Sequence, residues 1–166
     1  MQSTAESSPT IRYIFFDAGL FIAGLLSGDQ RHAEARPLVE QARRGELLAC
    51  TTPGVLSEVY GALTWEGAHP PQTPVIAARA VQLLVAPPSA IRVLTEDQAT
   101  ITRALNLASR YSLTARRVHD ARHAAAALIA DAKEIFTYDL NEWKIFTPEG
   151  LRIAGPPSTI NRLKSS

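Results

Sequence analysis

Four acidic residues stand where the side chains of an α/β domain can meet. Asp17 directly follows the apolar run 12–16, and Asp139 follows the run 134–137. Both runs are typical of buried parallel strands. Because ligands bind beyond the carboxyl ends of such strands, both carboxylates are expected at one edge of the sheet. Glu58 and Asp120 lie on segments with helical patterns, and their early turns can face the same edge.

Four converging carboxylates predict a divalent cation site. At an effective dielectric near 20, two carboxylates about 5 Å apart repel each other by roughly 3 kcal/mol, which a cation would relieve. Oxygen donors favour Mg²⁺ or Mn²⁺, whereas zinc prefers His or Cys. Such an ion can lower the pKa of a bound water, orient it towards a substrate and stabilise the developing charge.

The four acids are expected to have different roles at this site. Asp17 and Asp120 are the first choices for direct ligands. Glu58 and Asp139 are expected to bind through water or to position the nucleophile. Glu142 is a reserve ligand because it lies about one helical turn beyond Asp139.

Each acid also has an ordinary structural interpretation. Asp17 can cap a helix, and Asp120 can lie in a first helical turn where the helix dipole favours a negative charge. Glu58 can be a solvated helix residue, and Asp139 can be a turn residue. The prediction of a site therefore depends on the set of four and on no single member.

Strand-like and helical segments alternate along the chain. Strands are predicted at 12–16, 47–50, 91–94, 134–137 and 151–154. Helices are predicted at 20–26, 29–45, 53–65, 74–85, 96–110 and 115–130, the fifth opened by a capping box from Thr95 to Gln98. This alternation predicts an α/β domain with a mainly parallel sheet.

Length and composition predict one domain with short polar ends. Residues 1–10 are predicted to be a disordered lead, 11–154 the domain and 155–166 a polar tail. We find no apolar run of membrane-spanning length and no signal-peptide pattern. The single cysteine, Cys50, cannot form an internal disulfide, which fits a reduced cytoplasmic protein. Because the net charge is only +1, any nucleic-acid partner must be attracted by a local patch.

Four segments, in order, resemble the motifs of the PIN-domain family, and especially the VapC-like toxin ribonucleases of type II toxin–antitoxin systems. They are 13–26 (Tyr-Ile-Phe-Phe-Asp at its start), 56–63 around Glu58, 118–128 (Val-His-Asp-Ala-Arg-His) and 136–143 (Phe-Thr-Tyr-Asp at its start). The third segment is the most specific match. Together they span residues 13–143.

The resemblance implies both a fold and an activity. The implied fold has three layers, α/β/α, around a central sheet of four to five strands. The implied activity is Mg²⁺- or Mn²⁺-dependent endoribonuclease cleavage that leaves a 5′-phosphate and a 3′-hydroxyl. A homodimer and a cognate antitoxin protein are the implied partners. Ala18 and Gly19 stand where the family often has Ser or Thr followed by Asn, which predicts weaker metal binding.

Several neighbouring residues are candidates for supporting roles. Arg116, Arg117 and Arg122 surround Asp120 and either grip RNA phosphates or form a solvated basic face. Thr137 either donates a hydrogen bond to a carboxylate or bound water or is an ordinary strand-end residue. His119 and His123 are expected to have packing or surface roles, and Trp143 is expected in the core.

Two other functional interpretations remain open. The segment Phe-Phe-Asp at 15–17 also resembles the nucleophile strand of haloacid dehalogenase-type phosphatases, although their general acid would fall on Gly19. A non-catalytic PIN-like module that binds RNA or protein is the second alternative. The helix predicted at 74–85 is apolar well beyond one stripe and is bracketed by proline-rich segments, which favours an interface over a fully covered core helix.

Overall fold

A five-stranded parallel sheet forms the centre of the protein, for which a computed structural model describes residues 11–166. In chain order the strands are β1 (Ile14–Phe16), β2 (Ala49–Thr51), β3 (Arg92–Val93), β4 (Glu134–Phe136) and β5 (Arg152–Gly155). Their order across the sheet is β3-β2-β1-β4-β5, so β1 is the central strand. The prediction made for residues 1–10 falls outside the described residues.

Eight α-helices flank this sheet within residues 11–166. They are α1 (Ala18–Leu25), α2 (His32–Arg43), α3 (Pro53–Thr64), α4 (Pro74–Val85), α5 (Gln98–Arg110), α6 (Val118–Ile129), α7 (Leu140–Lys144) and α8 (Pro157–Lys164). Short 3₁₀ turns at Ala115–Arg117 and Thr147–Glu149 precede α6 and β5. The predicted α/β architecture with a parallel sheet is confirmed. None of the helices in residues 11–166 is long and apolar enough to cross a membrane.

Burial of β1 explains its continuous apolar sequence. Phe15 and Phe16 are both fully buried, as expected for a central strand covered on both faces. Phe15 pairs in register with Cys50 of β2 on one side and with Ile135 of β4 on the other. Cys50 is itself fully buried, and burial raises the pKa of its thiol to about 12. The thiol is therefore a core group and not a nucleophile.

Helix caps decide where several helices begin. Thr52 and Thr73 accept from the backbone N–H groups of Val55 and Ile76 at 3.1 and 3.4 Å, and each is followed by proline, as the sequence predicts.

The capping box predicted from Thr95 to Gln98 is wrong. Asp97 caps α5 by accepting from the backbone N–H of Thr100 at 3.0 Å, and Thr100 Oγ1 accepts from the Asp97 N–H at 3.3 Å. A carboxylate next to the helix provides the acceptor that Thr95, two residues earlier, was expected to supply.

The structure differs from the predicted polar tail at 155–166. Gly155 ends β5, and most of the remaining residues form α8, which packs onto the domain. Thr159 is fully buried, and its hydroxyl donates to the backbone carbonyl of Thr137 at 2.8 Å. Arg162 donates to the carbonyl of Tyr138 at 2.6 Å. The folded domain therefore continues past residue 154, through polar contacts that hydropathy does not signal.

We expect Thr159→Val to lower the free energy of unfolding by about 1–2 kcal/mol, because it keeps the side-chain shape and removes a buried hydrogen bond to Thr137. Urea titration followed by circular dichroism measures the change. Thr102→Val is the matched control, because the Thr102 hydroxyl bonds an exposed helical carbonyl, that of Gln98. Equal losses in the two variants would show that the α8 contact contributes nothing.

Candidate active site

A cavity of about 230 Å³ opens where β1 and β4 end. Its lining includes three of the four predicted acids, Asp17, Glu58 and Asp139, together with the reserve ligand Glu142. We call it the acid cavity. Parallel pairing of β1 with β4 brings Asp17 and Asp139 together, and the second turn of α3 supplies Glu58.

Asp120 borders this group without lining the cavity. It lies in the first turn of α6, and its carboxylate is 3.7 Å from the Arg117 guanidinium. Burial raises the pKa of Asp120, and the negative charges of Asp17 and Glu58 add to this effect against Arg117 and His123. Asp120 therefore belongs to the same electrostatic cluster.

Asp17 is the most firmly held of the acids. It is only 7% exposed, and its Oδ1 accepts from the backbone N–H of Ala18 at 2.9 Å as it caps α1. Its Oδ2 accepts from Thr137 Oγ1 at 2.7 Å and from Trp143 Nε1 at 3.0 Å. The sequence placed Trp143 in the core, where it is, but did not reveal that its indole N–H is directed at Asp17.

Helix α7, which the sequence did not predict, positions the other two acids. Asp139 caps it by accepting from the backbone N–H of Glu142 at 3.0 Å, while the Asp139 N–H donates to Thr137 at 2.9 Å. Burial and the negative charges of the four other acids raise the pKa of Glu142 to about 8. Negative charge in the cavity is therefore incompletely compensated.

His123 orients Glu58. It is buried, with Nε2 at 2.8 Å from Glu58 Oε1 and Nδ1 at 3.3 Å from the Thr52 hydroxyl. Burial opposes the charged imidazole, but the hydrogen bond to Glu58 and its negative charge prevail, so the pKa of His123 is raised. His123 therefore has the packing role expected from the sequence, and it has a second role that was not expected, since it holds the predicted site residue Glu58.

The predicted arginines take up different positions. Arg116 and Arg117 are exposed in the 3₁₀ turn before α6. Arg122 is directed elsewhere, pairing with Glu96 at 3.0 Å beside a second hollow of about 380 Å³ that shares Glu58 with the acid cavity. In the described part of the chain, the basic residue that lines the acid cavity is Arg31, which the sequence did not single out.

The donor atoms around the acid cavity are of a chemical type that suits a divalent cation. The carboxylate oxygens around the cavity suit Mg²⁺ or Mn²⁺, and the raised pKa of Glu142 shows that a positive charge would be stabilised there. As the side chains stand, no group of three or more His, Cys, Asp or Glu within residues 11–166 is arranged to hold a metal ion.

The family follows from comparison with known proteins. The PIN domain family model matches residues 14–144. The chain belongs to the PIN domain family. This PIN domain has all four acids within the matched range, and membership excludes the haloacid dehalogenase alternative. No curated protein sequence matches the chain significantly.

Solved structures of low sequence identity share this fold. VapC20 of Mycobacterium tuberculosis, described as a sarcin-ricin loop cleaving toxin, is 20% identical with a TM-score of 0.65, over 86% of this PIN domain chain and 99% of its own. PAE2754 from Pyrobaculum aerophilum is 17% identical with a TM-score of 0.57, over 93% and 98%. VapBC-1 from nontypeable Haemophilus influenzae is 17% identical with a TM-score of 0.54, over 82% and 93%.

We expect Glu142→Gln to stabilise the metal-free protein at neutral pH. The folded-state pKa of about 8 lies above the ordinary value of 4.5, so between these values the unfolded chain releases a proton that the folded chain keeps. Wild-type stability therefore falls as the pH rises from 4.5 to 8. At pH 7.5 the free energy of unfolding of the variant should exceed that of wild type by about 1–2 kcal/mol, a value that allows for the partial exposure of Glu142. At pH 4 the two free energies should be equal.

Urea titrations in EDTA at both pH values measure this difference. Glu149→Gln is the control of opposite sign, because hydrogen bonds from Tyr111 and Arg110 lower the pKa of Glu149. The stabilisation by the Glu149 carboxylate is present above the unfolded-state pKa and is lost as the pH falls through the folded-state pKa. Glu149→Gln should therefore lower the free energy of unfolding at neutral pH. A Glu142→Gln gain that is equal at both pH values would contradict the charge argument.

Proposed function

We propose that this protein is a metal-dependent endoribonuclease that hydrolyses RNA phosphodiester bonds. The main support is the meeting of Asp17, Glu58, Asp139 and Glu142 around one cavity at the strand ends, with Asp120 beside them. Membership of the PIN family, a family of nucleases, supports the same activity. The family resemblance implies products with a 5′-phosphate and a 3′-hydroxyl.

The proposed roles of the acids are those expected from the sequence. Asp17 and Asp120 are direct ligands, and Glu58 and Asp139 act through water or position the nucleophile. A bound Mg²⁺ or Mn²⁺ would supply a water of lowered pKa and a positive charge beside the phosphate. Thr137 and Trp143 fix the direction of the Asp17 carboxylate.

Two further residues of this chain prepare the cavity. His123 holds one oxygen of Glu58, which leaves the other free to face a bound water. The raised pKa of Glu142 means that its carboxyl keeps a proton near neutral pH, and it releases this proton when the negative charge around it is neutralised.

We expect Asp17→Asn to lower the rate of RNA cleavage by more than about 100-fold, because the amide replaces the most firmly held carboxylate. Excess EDTA should abolish wild-type cleavage, and Mg²⁺ or Mn²⁺ should restore it. Asp131→Asn is the matched control, because Asp131 is exposed and pairs with Lys133. Denaturing gels with labelled RNA give the rates, and circular dichroism confirms folding. Undiminished cleavage in EDTA would refute metal dependence.

One observation favours a non-catalytic RNA- or protein-binding module instead. Ala18 and Gly19 lack the polar side chains that many relatives have there. The same assay separates the two functions. RNA that is bound but not cut in Mg²⁺ or Mn²⁺ would establish the binding module.

We further propose that the protein is the toxin of a toxin–antitoxin pair and acts in the cytoplasm. The support is the shared fold with VapC20, itself described as a toxin that cleaves the sarcin-ricin loop. A segment of a cognate antitoxin entering the acid cavity with an arginine would pair with the carboxylates and compete with the metal.

Helix α4 supports a homodimer. Ala77 and Leu84 are buried, whereas Val75, Ile76 and Leu83 are 80%, 58% and 41% exposed. Residues 11–166 therefore do not fully cover this helix. Uncovered aliphatic side chains on one helix are typical of a protein interface.

We expect wild-type protein to be dimeric at tens of micromolar and Ile76→Glu to be monomeric, because a charge would be buried at the interface. Size-exclusion chromatography with light scattering measures the mass. Ile101→Glu is the matched control, since Ile101 is 41% exposed on α5. A monomeric wild type would remove this proposal.

A further inference from the structure

Among the described residues that line the acid cavity, Arg31 is the one with a positively charged side chain. It lines the acid cavity together with Asp17, Glu58, Asp139 and Glu142. RNA brings further negative charge to this place. A cation on the wall would offset the repulsion between the carboxylates and the arriving phosphate.

The geometry of Arg31 leaves part of its guanidinium available. Its Nε and Nη2 donate to Asp29 at 3.0 and 2.8 Å, and its backbone N–H donates to the same carboxylate at 2.8 Å. The other guanidinium N–H groups have no partner within residues 11–166. The side chain is 43% exposed, against 15% for Asp29. Asp29 therefore fixes one edge of the guanidinium and leaves Nη1 free.

Tyr138 supports the flat face of the same group. The guanidinium carbon of Arg31 lies 4.6 Å from the centre of the Tyr138 ring, and Tyr138 also lines the acid cavity. Stacking on an aromatic face restricts an arginine without using its N–H donors. Asp29 therefore restrains one edge of the Arg31 guanidinium, and Tyr138 restrains one of its faces.

A hydrogen-bond network fixes the Tyr138 ring in turn. Its hydroxyl donates to Glu34 of α2 at 2.9 Å. Glu34 also accepts from the backbone N–H and the hydroxyl of Ser158 in α8, at 3.0 and 2.6 Å. Because Arg162 bonds the Tyr138 carbonyl, the C-terminal helix supports both ends of this residue.

From this arrangement we infer that Arg31 forms a phosphate-binding subsite beside the acid cavity. Its free N–H groups bind a non-bridging oxygen of the RNA backbone, and Tyr138 is the positioning residue that presents them. A guanidinium fork is well suited to phosphate oxygens. The inference rests on the proposed function, since it assigns an RNA phosphate to the wall of the same cavity.

RNA binding, measured without turnover, tests the subsite. Fluorescence anisotropy of a labelled single-stranded RNA is recorded in the Asp17→Asn background over a series of salt concentrations. Arg31→Gln should weaken binding about tenfold, the order expected for losing a charge-assisted hydrogen bond. It should also lower the slope of log K against log salt by about 0.7, as expected for one lost phosphate contact on a single strand.

Matched variants separate a phosphate contact from a structural role. Arg36→Gln is the control, because Arg36 is exposed and pairs with Glu40 on α2, and its salt slope should not change. Tyr138→Leu should weaken RNA binding although it changes no charge. Adding Arg31→Gln to Tyr138→Leu should weaken RNA binding little further. Tyr138→Phe, which keeps the stacking ring, should retain most of the affinity. An Arg31→Gln variant with a lower melting temperature but an unchanged slope would overturn the inference.

The outcome remains distinguishable from that of the nuclease proposal. If wild type cuts no RNA, and Arg31→Gln nevertheless weakens RNA binding and lowers its salt slope, the subsite stands and the nuclease proposal fails. If Asp17→Asn abolishes cleavage while Arg31→Gln leaves affinity and slope unchanged, the nuclease proposal stands and the subsite fails. DNA of the same sequence should show the same loss of slope, because the proposed contact is to phosphate.

Discussion

The buried carboxylate of Asp17 requires hydrogen-bond donors from distant parts of the chain. An ionised carboxylate removed from water is costly unless its oxygens are satisfied. Asp17 meets this requirement with Ala18 at the start of α1, Thr137 just after β4 and Trp143 in α7. One charged group thereby joins the central strand, its neighbour and a helix. Because the donors face the same carboxylate from different elements, its direction is set by the fold as a whole.

Around this fixed charge the protein collects more negative charge than it neutralises. Glu58 is paired with His123, and Asp120 is close to Arg117. Among residues 11–166 Glu142 has no comparable partner, and burial and the negative charges around it raise its pKa. A folded protein keeps such an arrangement at a cost in stability, and this kind of local conflict is more common at functional sites than elsewhere. A bound cation would relieve this repulsion and would thereby stabilise the fold.

Residue type and spacing predicted the sheet and which strand ends and helices carry the acids, because strand ends and helix starts have local signals. The caps at Thr52 and Thr73 are local in this sense. The supporting contacts were not predictable, since a polar residue in α8 has the same sequence signature whether it is solvated or bonded to Glu34. Arg31 is similar: no short-range pattern indicates that it stacks on a tyrosine more than one hundred positions away.

Sequence separation within the site has a kinetic consequence. Asp17 is bonded to Thr137 and Trp143 across 120 and 126 positions, and β1 pairs with β4 across the same interval. Contacts between distant parts of a chain form late, because the entropy of closing a long loop is lost before the contact stabilises anything. A partly folded chain that has formed α1 to α5 has Asp17 and Glu58 but no α7. Assembly of the acid cavity should therefore come late in folding.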